Sequence, residues 1–198
     1  MDEQILQHIS IDPKVMVGKP VIRGTRIPVE LIVRMLAQGM SLPEREQELV
    51  FFASPLHDVG KIGIADSILL KPGKLTAEEL AIMREHTAKG AEIMRRSSSI
   101  YLREGSVIAM THHERWDGTG YPERLAAERI PLPGRIVAVA DVFDALTSRR
   151  PYKEAWPIER AAELLEAERG KHFDPVLVGL FLAALPAVKA IHDEHRDG

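Results

Sequence analysis

From about Pro43 onward the chain reads as one helix after another, and that run decides what it can fold into. EREQELVFFASPLHDVGKI starts acidic and carries its apolar residues on one side, and Pro55 should kink or end its regular part just before His57. Thr76-Ala-Glu-Glu79 spells a capping box, in which a hydroxyl and a carboxylate each satisfy a free backbone N–H, and predicts a helix to about Arg96. A further helix is expected from about Arg103 to Thr111. HHERWDGTGYPERLAAERIPLPG is too broken by glycine and proline for regular structure, whereas RIVAVADVFDALTS predicts a mostly buried helix. Pro157 suits the first position of a helix that Gly170 could terminate, and Asp174-Pro175 opens a last apolar helix through Leu185. Residues 42–198 therefore read as an all-α domain.

The upstream part differs. Residues 9–28, ISIDPKVMVGKPVIRGTRIP, mix β-branched residues with Gly and Pro, which suits short extended segments and turns. A helix should start near Pro28 and stop at Gly39, so a short N-terminal unit of residues 1–41 is expected. A chain of 198 residues, 45% hydrophobic, can build one ordinary domain with a small appendage. MDEQILQHIS lacks the basic and apolar stretches of a secretory signal. The longest apolar run, Val176 to Leu185, is about half of a membrane span. A soluble cytoplasmic protein is expected, and a net charge of −3 speaks against a broad nucleic-acid surface.

The chemistry begins at His57-Asp58, with Lys61 one helical turn later. Alone, such a pair is a helix end with two hydrogen-bonding groups. But His86 falls inside one predicted helix, His112 and His113 end another, and Asp141 lies within VAVADVFDAL. An ionised carboxylate in an apolar helix is costly unless paired or bound to metal. Metal binding accounts for all six. The absence of cysteine removes thiolate sites, and imidazole with carboxylate suits Fe, Mn, Ni or Zn. Six donors are too many for one ion with an open position, but they fit two divalent ions sharing a carboxylate, the usual apparatus of phosphoester hydrolysis. His8, His172, His192 and His195 lack such surroundings and read as structural or solvent-exposed.

HDVGK, His86, the HHE segment, GTGYP and the late DVFDAL and RRPYK together resemble the HD-GYP family, a branch of the HD phosphohydrolases. The resemblance runs over about residues 42–185, in order and at normal spacing. It implies an HD-type helical bundle that hydrolyses cyclic di-GMP to pGpG, or further to GMP, with two divalent metals, Fe or Mn ahead of Ni or Zn. By the same resemblance His57, Asp58 and Asp141 bind the first metal, with Asp58 bridging, and His86, His112 and His113 bind the second. Lys61 matches the lysine on the scissile phosphate, where it could stabilise developing charge. Gly120, Tyr121 and Pro122 form the loop beside the pocket, and Arg150 and Lys153 resemble contacts to phosphates and guanines. Without the resemblance, Arg150 and Lys153 read equally as solvated surface and Tyr121 as a packed loop aromatic. A homodimer is compatible with this reading.

The sequence departs from the family at the start of the domain. The helix that should carry another histidine for the first metal falls at about residues 18–35, which read GKPVIRGTRIPVELIVR and hold none. Those residues belong to ISIDPKVMVGKPVIRGTRIPVELIVRMLAQGMS, which resembles the start of a small antitoxin-like bacterial domain with helix-turn-helix character, its basic cluster being Lys19, Arg23 and Arg26. That match stops at GMS. Three readings follow: a cyclic di-GMP phosphodiesterase with an impaired first metal site, a weakly catalytic module that senses or recruits the nucleotide, and a DNA-binding or toxin–antitoxin-type regulator. Lys61 and the six ligands favour the first, the absent histidine favours the second, and the incomplete N-terminal module counts against the third.

Overall fold

The structure, a computed structural model, describes residues 9–10, 21–22, 29–148 and 154–194. His8, Lys19, Arg23, Arg26, Arg150, Lys153 and His195 lie outside the described residues. β1 (Ile9–Ser10) pairs antiparallel with β2 (Val21–Ile22), Ile9 opposite Ile22. Helices follow: α1 (Val29–Gly39), α2 (Glu44–Ala53), α3 (Asp66–Leu69), α4 (Ala77–Arg84), α5 (His86–Met94), α6 (Ile100–Thr111), α7 (Leu132–Thr147), α8 (Ile158–Ala167) and α9 (Pro175–Glu194). Short 3-10 turns at Ser54–Leu56 and Val59–Gly63 join α2 to α3, and a third lies at Ala127–Arg129. The domain is all-α.

Local chemistry sets most of these boundaries. Thr76 accepts from the Glu79 N–H at 3.2 Å while the Glu79 carboxylate accepts from the Thr76 N–H at 2.8 Å, completing the capping box. The helix it opens does not run unbroken to Arg96. It divides at Glu85, where the side chains of His86 and Thr87 bond the carbonyls of Met83 and Arg84. α6 starts a turn earlier than the sequence suggests, at Ile100, because the Arg103 N–H already bonds the Ser99 carbonyl at 3.1 Å. Pro157 caps α8 from outside. α9 continues beyond Leu185 through Pro186, with Val188, buried to 1%, anchoring the turn that follows.

α7 is the central helix, with ten of its sixteen residues buried. Ile136, Val137, Val139, Ala140 and Phe143 share one core with Ile32, Val33, Leu36 and Ala37 of α1, Ile108 of α6, Leu165 of α8 and Phe181 of α9. Phe143 meets Phe181 edge-on at 4.8 Å. At the near end, Arg135 of α7 bonds Asp174 at 2.6 Å, and the same carboxylate caps α9 through the Val176 N–H at 2.8 Å. Asp174 thus opens the helix, as its place before Pro175 suggests. No described helix is long and apolar enough to cross a membrane. The packing fixes α5, α6 and α7 around a pocket into which the 3-10 turns carry His57 and Asp58.

Candidate metal centre

His57, His86 and His112 are oriented in one way. His57 follows the turn that Pro55 helps form, and its Nδ1 lies 2.7 Å from the Ser54 carbonyl. Nδ1 of His86 lies 2.7 Å from the Met83 carbonyl, and Nδ1 of His112 lies 3.0 Å from that of Ala109. A carbonyl can only accept, so each Nδ1 carries the hydrogen and each Nε2 is turned into the pocket. This is how backbone oxygens orient metal-binding imidazoles in general.

The Nε2 atoms converge on Asp58. His57 lies 3.4 Å from Oδ2, His86 3.4 Å from Oδ1 and His112 3.9 Å from Oδ1, while Asp141 approaches His57 at 3.7 Å. The His113 ring lies 4.0 Å from that of His112 and 5.1 Å from that of His86. Donor atoms of Asp58, His86, His112 and His113 all lie within 4.8 Å of one another. The structure thus brings His57, Asp58, His86, His112, His113 and Asp141 into one pocket.

Asp58 Oδ1, His86 Nε2 and His112 Nε2 are buried without a hydrogen-bond partner among the described residues. Each such group costs about 1–3 kcal/mol. Two imidazole lone pairs facing a carboxylate oxygen with no proton between them need a cation, and neutral nitrogen with carboxylate oxygen is a donor set that divalent transition ions accept. Burial lowers His86, keeps His112 well below its ordinary pKa and pushes His113 down to about 4, so their lone pairs are free. At His57 burial acts the same way, but the carboxylates of Asp141 and Asp58 outweigh it and raise the ring to about 10. Burial would raise Asp58 and Asp141, yet His57 overcomes it at both and holds them below the usual carboxylate range. Lys61 adds to this at Asp58, bonding Oδ2 while its side chain remains 40% exposed towards solvent.

Gly60 makes the junction possible. A Cβ there would sit 1.9 Å from the His86 carbonyl oxygen and 2.4 Å from the Gly90 nitrogen, so the HDVGK turn lies backbone to backbone on α5. Gly120 plays the same part in the loop after His113, where a Cβ would meet the Arg115 nitrogen at 2.3 Å. That loop returns Tyr121 to the site: its N–H bonds the His113 carbonyl at 3.2 Å and its ring stacks on the His113 imidazole at 4.9 Å. Burial pushes the phenol up to about 12. Pro122 is exposed beyond it.

Glu114 is a residue the sequence reading passed over. Buried to 2% next to the two histidines, it accepts from the N–H groups of Glu123 at 2.7 Å and Leu125 at 3.0 Å, closing the loop that carries Tyr121. An acidic residue amid HHE was the available signal; its partners lie too far along the chain to read from spacing. His172 stacks on Phe173 at 4.1 Å and is not among the clustered donors. On the other side of His57, α1 packs on α2, α7 and the Ser54–Leu56 turn. It buries Ile32, Val33, Leu36 and Ala37, and exposes Arg34 and Gln38.

A family model described as HD domain matches residues 8–177. The chain belongs to the HD domain family. It is 50% identical over 151 residues to the cyclic di-GMP phosphodiesterase response regulator RpfG of Xanthomonas campestris pv. campestris, a match covering 76% of this chain and 40% of that protein. It is 49% identical over 162 residues to a cyclic di-GMP phosphodiesterase of Thermotoga maritima, covering 82% and 44%. With the 3'3'-cGAMP-specific phosphodiesterase 2 of Vibrio cholerae it shares 52% identity over 154 residues, covering 78% and 30%. The chain spans less than half the length of each of these relatives. The fold is similar to that of Bd1817, an HDG"Y"P protein from Bdellovibrio bacteriovorus, with a TM-score of 0.61 at 21% identity over 81% of this chain and 51% of that one.

Proposed function

We propose that the chain is a metal-dependent phosphodiesterase of the HD-GYP branch that opens cyclic di-GMP to linear pGpG. The observation that carries the reading is the set of three buried, partnerless atoms, Asp58 Oδ1, His86 Nε2 and His112 Nε2, beside an exposed lysine amine. Asp58, His86, His112 and His113 would hold one divalent ion, Fe or Mn ahead of Ni or Zn, and His57, Asp58 and Asp141 a second. Such ions activate a water and neutralise the phosphoryl oxygens. The chain's own residues do the rest. Lys61, now on Asp58, is within reach of a phosphate at the mouth and would take up charge as the P–O bond breaks. Tyr121 walls the pocket from His113 outward, with Gly120 giving the loop its close approach. Arg150 and Lys153 complete the proposed nucleotide contacts. Residues 42–198 form the catalytic unit on this reading, with 1–41 a partial antitoxin-like segment, in a cytoplasmic protein.

The recruitment reading draws on α1. α1, which packs on the Ser54–Leu56 turn before His57 and on α7, buries Ile32, Val33, Leu36 and Ala37 and brings no histidine to complete the shell of the ion at His57, Asp58 and Asp141. The His57 side is left with three donors and should hold its ion loosely. Metal-stripped chain titrated with Mn or Fe, following bound stoichiometry and cyclic di-GMP cleavage together, tests both readings. One ion should bind tightly and the second at least about tenfold more weakly, with turnover following the second. Nucleotide binding without cleavage at saturating metal would establish the recruitment module instead, and neither binding nor cleavage would end the dinucleotide reading.

A further inference from the structure

Arg84 closes α4 one residue before the break at Glu85 and two before the buried His86. Its side chain is exposed, and its guanidinium carbon lies 4.8 Å from the centre of the Tyr121 ring. Tyr121 in turn stacks on His113. Guanidinium, phenol and imidazole thus form a contact chain from the surface to the candidate metal donors. Arg95, Arg115, Arg135 and Arg169 spend their charge on carboxylates. Arg84 has no carboxylate partner among the described residues, so its donors remain available beside the pocket.

A cyclic dinucleotide carries two phosphates, and the metal donors with Lys61 can account for only the one being cleaved. We propose that Arg84 is a substrate contact that binds the other phosphate, its planar fork held in place by the Tyr121 face. Guanidinium suits this role because it stacks on an aromatic ring and still offers paired N–H groups to an anion. The inference rests on the phosphodiesterase reading and adds to it a determinant of substrate grip that lies on α4 rather than in the loop.

The test compares R84Q and R84K with the parent chain, measuring KM and kcat for cyclic di-GMP and metal content for the metal-loaded chain, and nucleotide binding to both metal-loaded and metal-free chain by equilibrium dialysis. R84Q should raise KM and weaken binding at least about tenfold, through the loss of the paired charged hydrogen bonds, with kcat and metal content unchanged. R84K, which keeps the charge but not the planar fork, should recover only a minor part of the loss. Parent turnover with an unaltered KM in R84Q overturns the contact alone. A loss of metal in R84Q that parallels the loss of binding also overturns it, since Arg84 would then act through His86. A parent chain that neither binds nor cleaves the nucleotide overturns the function and this contact with it.

Discussion

Around His86 and His112 the pocket leaves buried lone pairs facing Asp58 Oδ1 with nothing between them, whereas around His57 and Asp141 it sets a protonated imidazole between carboxylates. Both sides use the same device to aim their rings, an Nδ1–H bonded to a nearby carbonyl. They differ in what meets Nε2. On the first side the described residues offer no hydrogen-bond partner, so a cation would remove an energetic penalty. On the second a proton already does that work, and an ion entering there must displace it. The second side also borders α1, whose buried residues are apolar. On the proposed two-metal reading, a shared motif would give two affinities because one neighbouring helix supplies methyl groups.

The largest effects should separate these halves. Asp58→Ala removes the carboxylate common to both and should reduce affinity for either ion by at least about a hundredfold, abolishing turnover. His86→Ala should cost the tight ion and leave the weak one near its parent affinity. Asp141→Ala should do the reverse. Metal content at limiting free metal checks all three; equal losses in His86→Ala and Asp141→Ala would mean that the sides do not differ.

Glu114→Gln tests whether the Tyr121 loop is independent of both halves. The carboxylate binds two backbone N–H groups, and the amide retains an oxygen for only one, so about 1–2 kcal/mol of loop order should be lost. Metal content should hold while KM for the nucleotide rises and proteolysis within residues 117–126 accelerates. Loss of metal in this variant would tie the loop to the candidate ligand His113 more closely than the stacking implies.

Much of this was legible in the sequence because the signals are local. The donors stand out as polar groups in helices otherwise apolar, and Thr76 with Glu79 or Asp174 before Pro175 marks a helix start within one turn. What was not legible depends on partners brought from elsewhere. The helix after Thr76 breaks at Glu85 where two side chains take its carbonyls, a contest that periodicity does not register. Glu114 finds its partners nine and eleven residues on, only once Gly120 lets the loop fold back. α9 outruns Leu185 because Val188 has a core to reach, and the apolar pattern before Pro186 gave no sign of it.

The smallest effect concerns a histidine outside the comparison. His172 packs on Phe173 and burial lowers it to about 4, with Arg115 acting in the same direction. It belongs to no metal-binding cluster among the described residues, so it should behave as a packed group that resists charge rather than as a ligand. Its folded pKa lies below its unfolded value near 6.5, so the unfolded chain binds the proton more readily. Stability should therefore be unaffected by this group above about pH 6.5, fall as pH drops towards about 4, and level off below it. The part owed to His172 should be about 1–2 kcal/mol, reduced from the full linkage value by its partial exposure. Denaturant unfolding of metal-free parent and His172→Gln between pH 4 and 7 isolates it, because the acid response of the clustered histidines is common to both and cancels in the difference. The parent should lose stability relative to the variant across that window. A difference independent of pH would show that the ring takes its proton in the folded chain as readily as in the unfolded one, and that a buried histidine here need not be a ligand to accept charge.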